Sequence, residues 1–360
     1  MKWKVVKLGD ILNFRRGHDL PHSKMVSGNI PVAGSNGIIG YHNVPTPMRP
    51  VLTIGRSGNT GKPFYYEEAW AHNTTLYVDD FKGNNPKFLY YLCQTLPFAN
   101  FEGGSAVPTL NRNHIHLIET RIPENLNDQR RIASILSSLD RKIEINNQIN
   151  ARLEEIAQAL FKSWFIDFEP FKDQKFVESE IGLIPEGWQV GVLGDLCTFQ
   201  RGKNLLSKNA IDKGVPVVGG GLEPSCFHNK ANTKAPVLTI SGSGANAGFM
   251  RMYHEPVWAS DCSYIDISCS CFYFIYNYLK INNRLLTHAQ TGAVQPHVKP
   301  SDIHKFTIVI PDDDSIRSFQ YRVRCFYKKI GIIQKENRHL ASLRDTLLPK
   351  LMSGGIEIKA

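Results

Sequence analysis

Lys7-Leu8-Gly9-Asp10-Ile11 and, 185 positions later, Val192-Leu193-Gly194-Asp195-Leu196 are the two stretches that decide how this chain is built. The same offset relates Phe14-Arg15-Arg16-Gly17 to Phe199-Gln200-Arg201-Gly202, and Ile30-Pro31-Val32 to Val215-Pro216-Val217. Pro50-Val51-Leu52-Thr53-Ile54 matches Pro236-Val237-Leu238-Thr239-Ile240 at 186. Trp70-Ala71 matches Trp258-Ala259, and Ile122-Pro123 matches Ile310-Pro311, both at 188. A drift of three residues across so many ordered matches is the trace of small loop insertions in a duplicated frame. Two copies are too few for a solenoid, so they predict two similar domains with separate cores.

Each copy opens with roughly 120 residues of short β-branched and aromatic runs broken by Gly, Pro, Asn and Ser, which read as strands and loops. Val51-Leu52-Thr53-Ile54 and its counterpart are the clearest strands, whereas Phe88–Leu92 and Phe274–Leu279 read equally as short helices or buried strands. After each Ile-Pro the texture becomes a long helix, with Asn127 or Asp128 able to cap the first and Asp314 or Ser315 the second. Apolar positions then step 4-3-4-3, through Ile132, Leu136, Leu139, Ile143, Asn146, Asn150, Leu153, Ala157, Leu160 and Trp164. The second copy steps through Phe319, Val323, Phe326, Ile330, Ile333, Asn337, Leu340, Arg344, Leu347 and Leu351. A heptad seam of this length predicts that the two helices pack on each other; the alternative is that each packs on its own domain. Asn150 and Asn337 hold the same repeat position, so in an antiparallel pair they fix register. Leu136 then meets Leu351, Ile143 meets Arg344, Ala157 meets Ile330, and Trp164 meets Val323. The expected architecture is α+β, two similar globular domains separated by two long antiparallel coiled-coil helices, with an internal pseudo-twofold repeat. The helices would act as a spacer of roughly 54 Å, at about 1.5 Å per residue.

With 360 residues, two domains plus connecting elements are expected. No apolar run reaches the length of a membrane span, and Lys7 breaks the apolar core a signal peptide would need. Seven cysteines, an odd number without framework spacing, fit reduced thiols in a cytoplasm. The formal charge of +9, from 42 Lys and Arg against 33 Asp and Glu, suits a polyanion partner without requiring one.

Four further stretches, set inside the duplicated layout, carry a resemblance. They are Trp3-Lys4-Val5-Val6-Lys7-Leu8-Gly9-Asp10-Ile11, Leu160-Phe161-Lys162-Ser163-Trp164-Phe165-Ile166-Asp167-Phe168, Ile184-Pro185-Glu186-Gly187-Trp188, and Leu343-Arg344-Asp345-Thr346-Leu347-Leu348-Pro349-Lys350-Leu351-Met352-Ser353-Gly354. Over essentially its whole length the chain resembles the specificity subunit of type I restriction-modification systems. The resemblance implies a first target recognition domain over 1–125 and a central helix over 126–169. A linker and second recognition domain would occupy 170–311, with the distal helix and tail over 312–360. It implies that each domain reads half of a bipartite double-stranded DNA site, and that the helices dock two methyltransferase subunits. Restriction/translocase subunits would complete the assembly. It also implies a non-catalytic, cytoplasmic chain with no cofactor of its own; S-adenosylmethionine, ATP and Mg would belong to the partner subunits. The chain is short for that family, and Arg322–Gln334, with Arg324, Lys328 and Lys329 near the seam, departs most from the first helix.

Two pairs of loops are the candidate DNA contacts. Gly55-Arg56-Ser57-Gly58-Asn59-Thr60-Gly61-Lys62 and Ser241-Gly242-Ser243-Gly244-Ala245-Asn246-Ala247-Gly248 each follow a strand. The first is no nucleotide P-loop, because five residues separate Gly55 from Gly61 and Pro63 replaces the metal-binding hydroxyl. Small residues let backbone N–H groups approach phosphate and let Arg or Asn reach base edges, so Arg56, Ser57, Asn59, Lys62, Ser243 and Asn246 are candidate contacts. Gly103–Arg112 is matched by Thr291–Lys299, which adds Asn111, Arg112, His297 and Lys299. Arg15, Arg16, Arg201 and Lys203 are candidate phosphate anchors.

Rival readings are an enzyme carrying such recognition domains, either nuclease or methyltransferase, and a coiled-coil adaptor. Asn85-Pro86-Lys87-Phe88 lacks the second proline of adenine methyltransferases, and Pro311-Asp312 with Glu357-Ile358-Lys359 is a poor nuclease core. Cys269-Ser270-Cys271 has one spacer where zinc knuckles use two or more, and in a strand those thiols would diverge. His114, His116 and His304 read as surface residues of polar turns.

Overall fold

The structure is a computed structural model that describes residues 1–103, 108–290 and 296–358. Packing divides the chain into two compact units, Met1–Glu144 with Asn337–Ala360, and Ile145–Glu336. This cut passes through both long helices, Leu126–Phe165 and Asp313–Met352.

In the first unit a four-stranded antiparallel sheet runs in the order Asn13–Arg16, Thr75–Asp80, Val51–Gly55, Pro63–Tyr66. Beside it Ile30–Gly34 pairs antiparallel with Gly37–His42 and parallel with Trp70–Ala71. Trp3–Lys7 pairs with Glu119–Pro123 at the foot of the long helix. The second unit repeats every piece. Its sheets run Gln200–Arg201, Cys262–Asp266, Val237–Ser241, Met250–Tyr253, then Cys226–His228, Val215–Val218, Trp258–Ala259, with Gln189–Val192 on Thr307–Ile310. The hairpin of Phe176–Ser179 and Gly182–Pro185 is an addition ahead of the second copy. Central strands such as Val51–Gly55 and Val237–Ser241 are buried throughout, so their β-branched residues pack on both faces. The two ambiguous aromatic runs are helices, Pro86–Thr95 and Phe272–Ile281, each laid against its sheet.

Some of the agreement between copies lies below the resolution of sequence matching. Gly17 N donates to Thr75 O at 3.0 Å, and Gly202 N to Cys262 O at 2.8 Å. A β-carbon on Gly17 would stand 2.1 Å from His72 O, and one on Gly202 would stand 2.0 Å from Ser260 O. Both positions therefore need glycine because two backbones touch there.

The long helices begin earlier than expected. Asn125 Oδ1 accepts from Asn127 N at 2.8 Å, and Asp312 accepts from Ser315 N and Oγ, each at 2.8 Å. The caps are thus Asn125 and Asp312 rather than Asn127, Asp128, Asp314 or Ser315, because the residue just before each helix already offers an oxygen to the orphan N–H groups.

Within each unit the two helical segments run antiparallel and enter a common core. In the first unit Ile132, Ala133 and Leu136 share a cluster with Leu351 and Met352 and with Leu8 of the α/β part. In the second, Phe161 meets Phe274 at 5.3 Å and Phe319 at 5.6 Å between ring centres. Every seam position from Ile132 to Trp164 and from Phe319 to Leu351 is buried or half-buried, whereas Arg324, Lys328 and Lys329 are exposed. Neither helix is confined to its own domain. The first packs with residues 170–311 through its last turns, and the second packs with the first unit through its last turns.

Two polar groups inside the seam find cross-helix partners, whereas Asn150 Oδ1 is buried without one among the described residues. Asn146, 1% exposed, donates from Nδ2 to Glu336 Oε2 at 2.9 Å. Arg344, expected opposite Ile143, reaches one turn further to Asp140 Oδ1 at 2.7 Å, where the charge finds a carboxylate. Asp140 also accepts from Tyr91 OH at 2.5 Å. The equivalent station of the second unit is filled without charge: Tyr327 OH donates to Asn277 Oδ1 at 2.8 Å, and Ala157 stands where Arg344 stands. Asn150 belongs to the second unit and Asn337 to the first.

Candidate nucleic-acid interface

In the first unit the buried strand Val51–Gly55 delivers the chain to Arg56 at the sheet's end, and the next six residues turn back on themselves. Gly61 N donates to Gly55 O at 2.8 Å and Gly55 N to Lys62 O at 3.2 Å, closing the loop. A second segment is tied to it through backbone: Leu110 N donates to Arg56 O at 2.8 Å, Gly58 N to Pro108 O at 3.2 Å, and Ser57 bridges Thr109, while the Thr60 hydroxyl donates to Glu102 at the head of that segment. The two predicted loops are thus one surface. Residues 104–107 of the second loop, and 291–295 of its counterpart, lie outside the described residues.

Onto this surface the fold brings Arg56, Ser57, Asn59 and, through residues 108–112, Asn111 and Arg112. Asn59, Lys62, Asn111 and Arg112 are exposed, and Arg56 and Ser57 are half-buried. Lys62 lies over the Phe64 ring at 5.3 Å. Asn111 Oδ1 accepts from Asn113 N at 3.0 Å, so this side chain also caps a short helix. Arg15 and Arg16 are successive in a strand and project to opposite faces. Arg15 lies 3.9 Å from Asp79, while Arg16 lies near Arg56. Burial first, and then the charge of Arg16, hold the Arg56 guanidinium below its ordinary pKa. Among the described residues neither Arg16 nor Arg56 has a carboxylate partner. Two unneutralised guanidinium groups repel one another in the free protein, and an anion placed between them removes that repulsion.

The second unit has the same ties with other side chains. Val298 N donates to Gly242 O at 3.1 Å, Gly244 N to Pro296 O at 3.2 Å, and Ser243 bridges His297. Arg201 stands where Arg16 stands, Gly242 replaces Arg56, Ser243 replaces Ser57, and Asp261 replaces Asn73. Arg201 and Ser243 both hydrogen-bond Asp261. An open groove of about 500 Å³ is lined by Arg201, Gly242, His297, Lys299, Pro300 and Ser301. Asn246 ends a short 3-10 turn, Gly244–Asn246, and is half-buried. Lys203 is exposed and is held only through its backbone, to Ala259 O and the Trp258 indole.

The residues of the rival readings have structural employment. Asn85 caps its helix by accepting from Phe88 N at 2.9 Å. Asp312 accepts from Trp188 Nε1 at 3.0 Å besides its capping bonds, and it falls in the other unit from Glu357. Lys359 lies outside the described residues. Cys269 and Cys271 sit in a turn, not a strand, so their sulfurs come together at 3.6 Å rather than diverging. No group of three or more His, Cys, Asp or Glu placed to hold a metal occurs among the described residues. Among them, too, no helix is long and apolar enough to cross a membrane.

Sequence reasoning missed Asp261 and the two histidines His116 and His304. Asp261 lies three residues past the matched Trp258, where the first copy has Asn73, so comparison of the copies would have flagged it. His116 Nε2 accepts from Phe14 N at 3.0 Å and His304 Nε2 from Phe199 N at 2.8 Å, a role shared at an offset of 188.

The model of the "Type I restriction modification DNA specificity domain" matches residues 1–155 and again 185–335. The chain belongs to this specificity family. Among its relatives, the type I restriction enzyme MjaIX specificity subunit of Methanocaldococcus jannaschii is 31% identical over 76% of this chain and 69% of the relative. The HindI specificity subunit of Haemophilus influenzae is 23% identical over 98% of this chain and 94% of its own length. In fold, the chain is similar to the crystal structure of a type I restriction-modification system S subunit from M. genitalium, with a TM-score of 0.67 at 18% identity, over 99% of this chain and 97% of that one. Membership of the specificity family accounts for the duplication: the two family matches are the two copies first seen as repeated Leu-Gly-Asp.

Proposed function

We propose that this member of the specificity family reads a bipartite duplex DNA site, one half with each unit, and that it positions other subunits rather than catalysing. The observation that carries the reading is the pair of loop surfaces, built on matching backbone ties yet bearing different side chains. Arg16 and Arg56 stand in one; Arg201, His297 and Lys299 stand in the other. A shared frame fixes the approach to DNA, and differing side chains let each unit prefer a different half-site. Arg15, Lys62, Arg112 and Lys203 would hold phosphates, and Ser57, Asn59, Asn111, Ser243 and Asn246 would complete the contact.

The long helices would carry two methyltransferase subunits, with restriction/translocase subunits joining that core. Ile145, Ile149 and Ile156 are exposed along one face of the first helix, and Tyr321 and Ile332 on the second, as a docking surface would need. Asn150 and Asn337 would fix the register of the pair. S-adenosylmethionine, ATP and Mg would be bound by the partner subunits, which would flip a target adenine for methylation. Free cysteines fit work in the cytoplasm.

The test is to map methylated adenines in a host carrying the complete system, with and without this chain. A two-part motif that vanishes when the chain is removed supports the reading; an unchanged methylation pattern overturns it.

A further inference from the structure

The loop surface of the second unit contains one arginine whose geometry is set before any ligand arrives. Arg201 lies on the backbone of Gly242: a β-carbon there would stand 2.2 Å from Arg201 Nη1 and 3.0 Å from Cζ. On its other side Nη2 donates to Asp261, whose second carboxylate oxygen accepts from Ser243 Oγ. The guanidinium is therefore held by a floor without a side chain, a carboxylate and a hydroxyl, yet it remains 46% exposed and forms part of the groove wall. An exposed ion pair of this kind adds little to stability, so its consequence lies in orientation.

From this geometry we infer that Arg201 is the guanine-reading residue of the second unit and that Asp261 is the residue that positions it. This rests on the DNA-reading function proposed above. A guanidinium has five N–H donors; Asp261 takes one of them and leaves the Nη1 edge to form paired hydrogen bonds with O6 and N7 of a guanine. Fixing the fork in advance removes rotamer entropy that a free arginine would lose on binding, and it confines acceptance to a base with two acceptors on one edge. A phosphate anchor gains less from such a clamp, because phosphate accepts from many directions, and the Asp261 carboxylate repels it. The first unit departs at two of the three supports. Gly242 is replaced by Arg56 and Asp261 by Asn73, while Ser57 remains, so Arg16 has neither floor nor carboxylate and the paired reading belongs to the second unit alone.

The experiment is competitive selection of a randomised duplex library by the full chain, assembled with the modification subunits of its host, at several salt concentrations. For Arg201→Ala and Arg201→Lys we expect preference at a single G·C pair, in one half-site, to fall about tenfold to a hundredfold, with every other position unchanged. Asp261→Asn should weaken the same preference while raising affinity for duplexes of any sequence, since a negative charge leaves the surface. Arg201→Lys keeps the charge and fails only in the fork, so its loss of preference separates reading from attraction. A uniform loss of affinity in Arg201→Ala with a shallower salt dependence would make Arg201 a phosphate contact and overturn the inference. So would unchanged preference in all three variants. A wild-type assembly that binds every duplex alike would instead sink the DNA-reading function itself.

Discussion

At the scale of single residues, His116 and His304 each accept from a backbone N–H, and His116 sets a condition on pH. His116 Nε2 can accept from Phe14 N only while the ring is neutral. Burial first, then the neighbouring charges of Arg112 and Lys82, hold its pKa below the ordinary value of 6.5. Between that lowered value and 6.5 the unfolded chain binds more protons than the folded one, so stability falls as pH drops through this window and levels off beneath it. We expect the urea midpoint of the full chain to fall on acidification below neutrality. His116→Ala should flatten that slope and, at neutral pH, cost about 1–3 kcal/mol by leaving the Phe14 N–H without its acceptor. A slope identical to wild type would show that the ring does not act this way. Neither histidine was legible as a structural group, because a His in a polar turn looks the same whether its ring points out or in. Arg201 and Ser243 were legible as candidates from their loops. Asp261 was not, since its task depends on a strand edge brought alongside from sixty residues away.

At the scale of elements, the helical pair combines a seam that sequence periodicity reveals with polar contacts that it does not. The 4-3-4-3 stepping predicted both helices and the faces they bury, because burial of apolar residues every three and four positions leaves little choice of face. It misplaced the caps, and it put Arg344 opposite Ile143, since a periodic pattern says which face is inward but not how far a long side chain reaches. The Asp140 carboxylate joins three elements, accepting from Tyr91 of the Pro86–Thr95 helix and from Arg344 of the distal helix. Asp140→Ala should destabilise the protein by about 1–3 kcal/mol, because it leaves the Tyr91 phenol without its acceptor and Arg344 with Asp345 alone. Adding Arg344→Ala should recover part of that loss, a non-additivity read from thermal unfolding of the two single variants and the double. Strict additivity would mean that the contact contributes nothing.

At the scale of the whole molecule, duplication lets one chain carry two independent preferences. Each unit closes its own core and its own loop surface, so exchanging residues 1–125 for another recognition domain should change one half of the methylated motif and leave the other half as it was. Sequencing of methylated sites in hosts bearing the chimera checks this; a change in both halves would contradict separate reading. The duplication itself was plain from six ordered matches, because buried Leu, Trp and Pro positions and backbone contacts at glycine tolerate little change. The candidate loop surfaces could be picked out only as regions, since their side chains differ between copies. That difference has a long-range meaning. The ties between loops, from Gly58 N to Pro108 O and from Gly244 N to Pro296 O, involve no side chain. If these surfaces read DNA as proposed, a lineage can exchange their side chains while these backbone ties persist, and a handful of nucleotide changes in one gene can then create a new address.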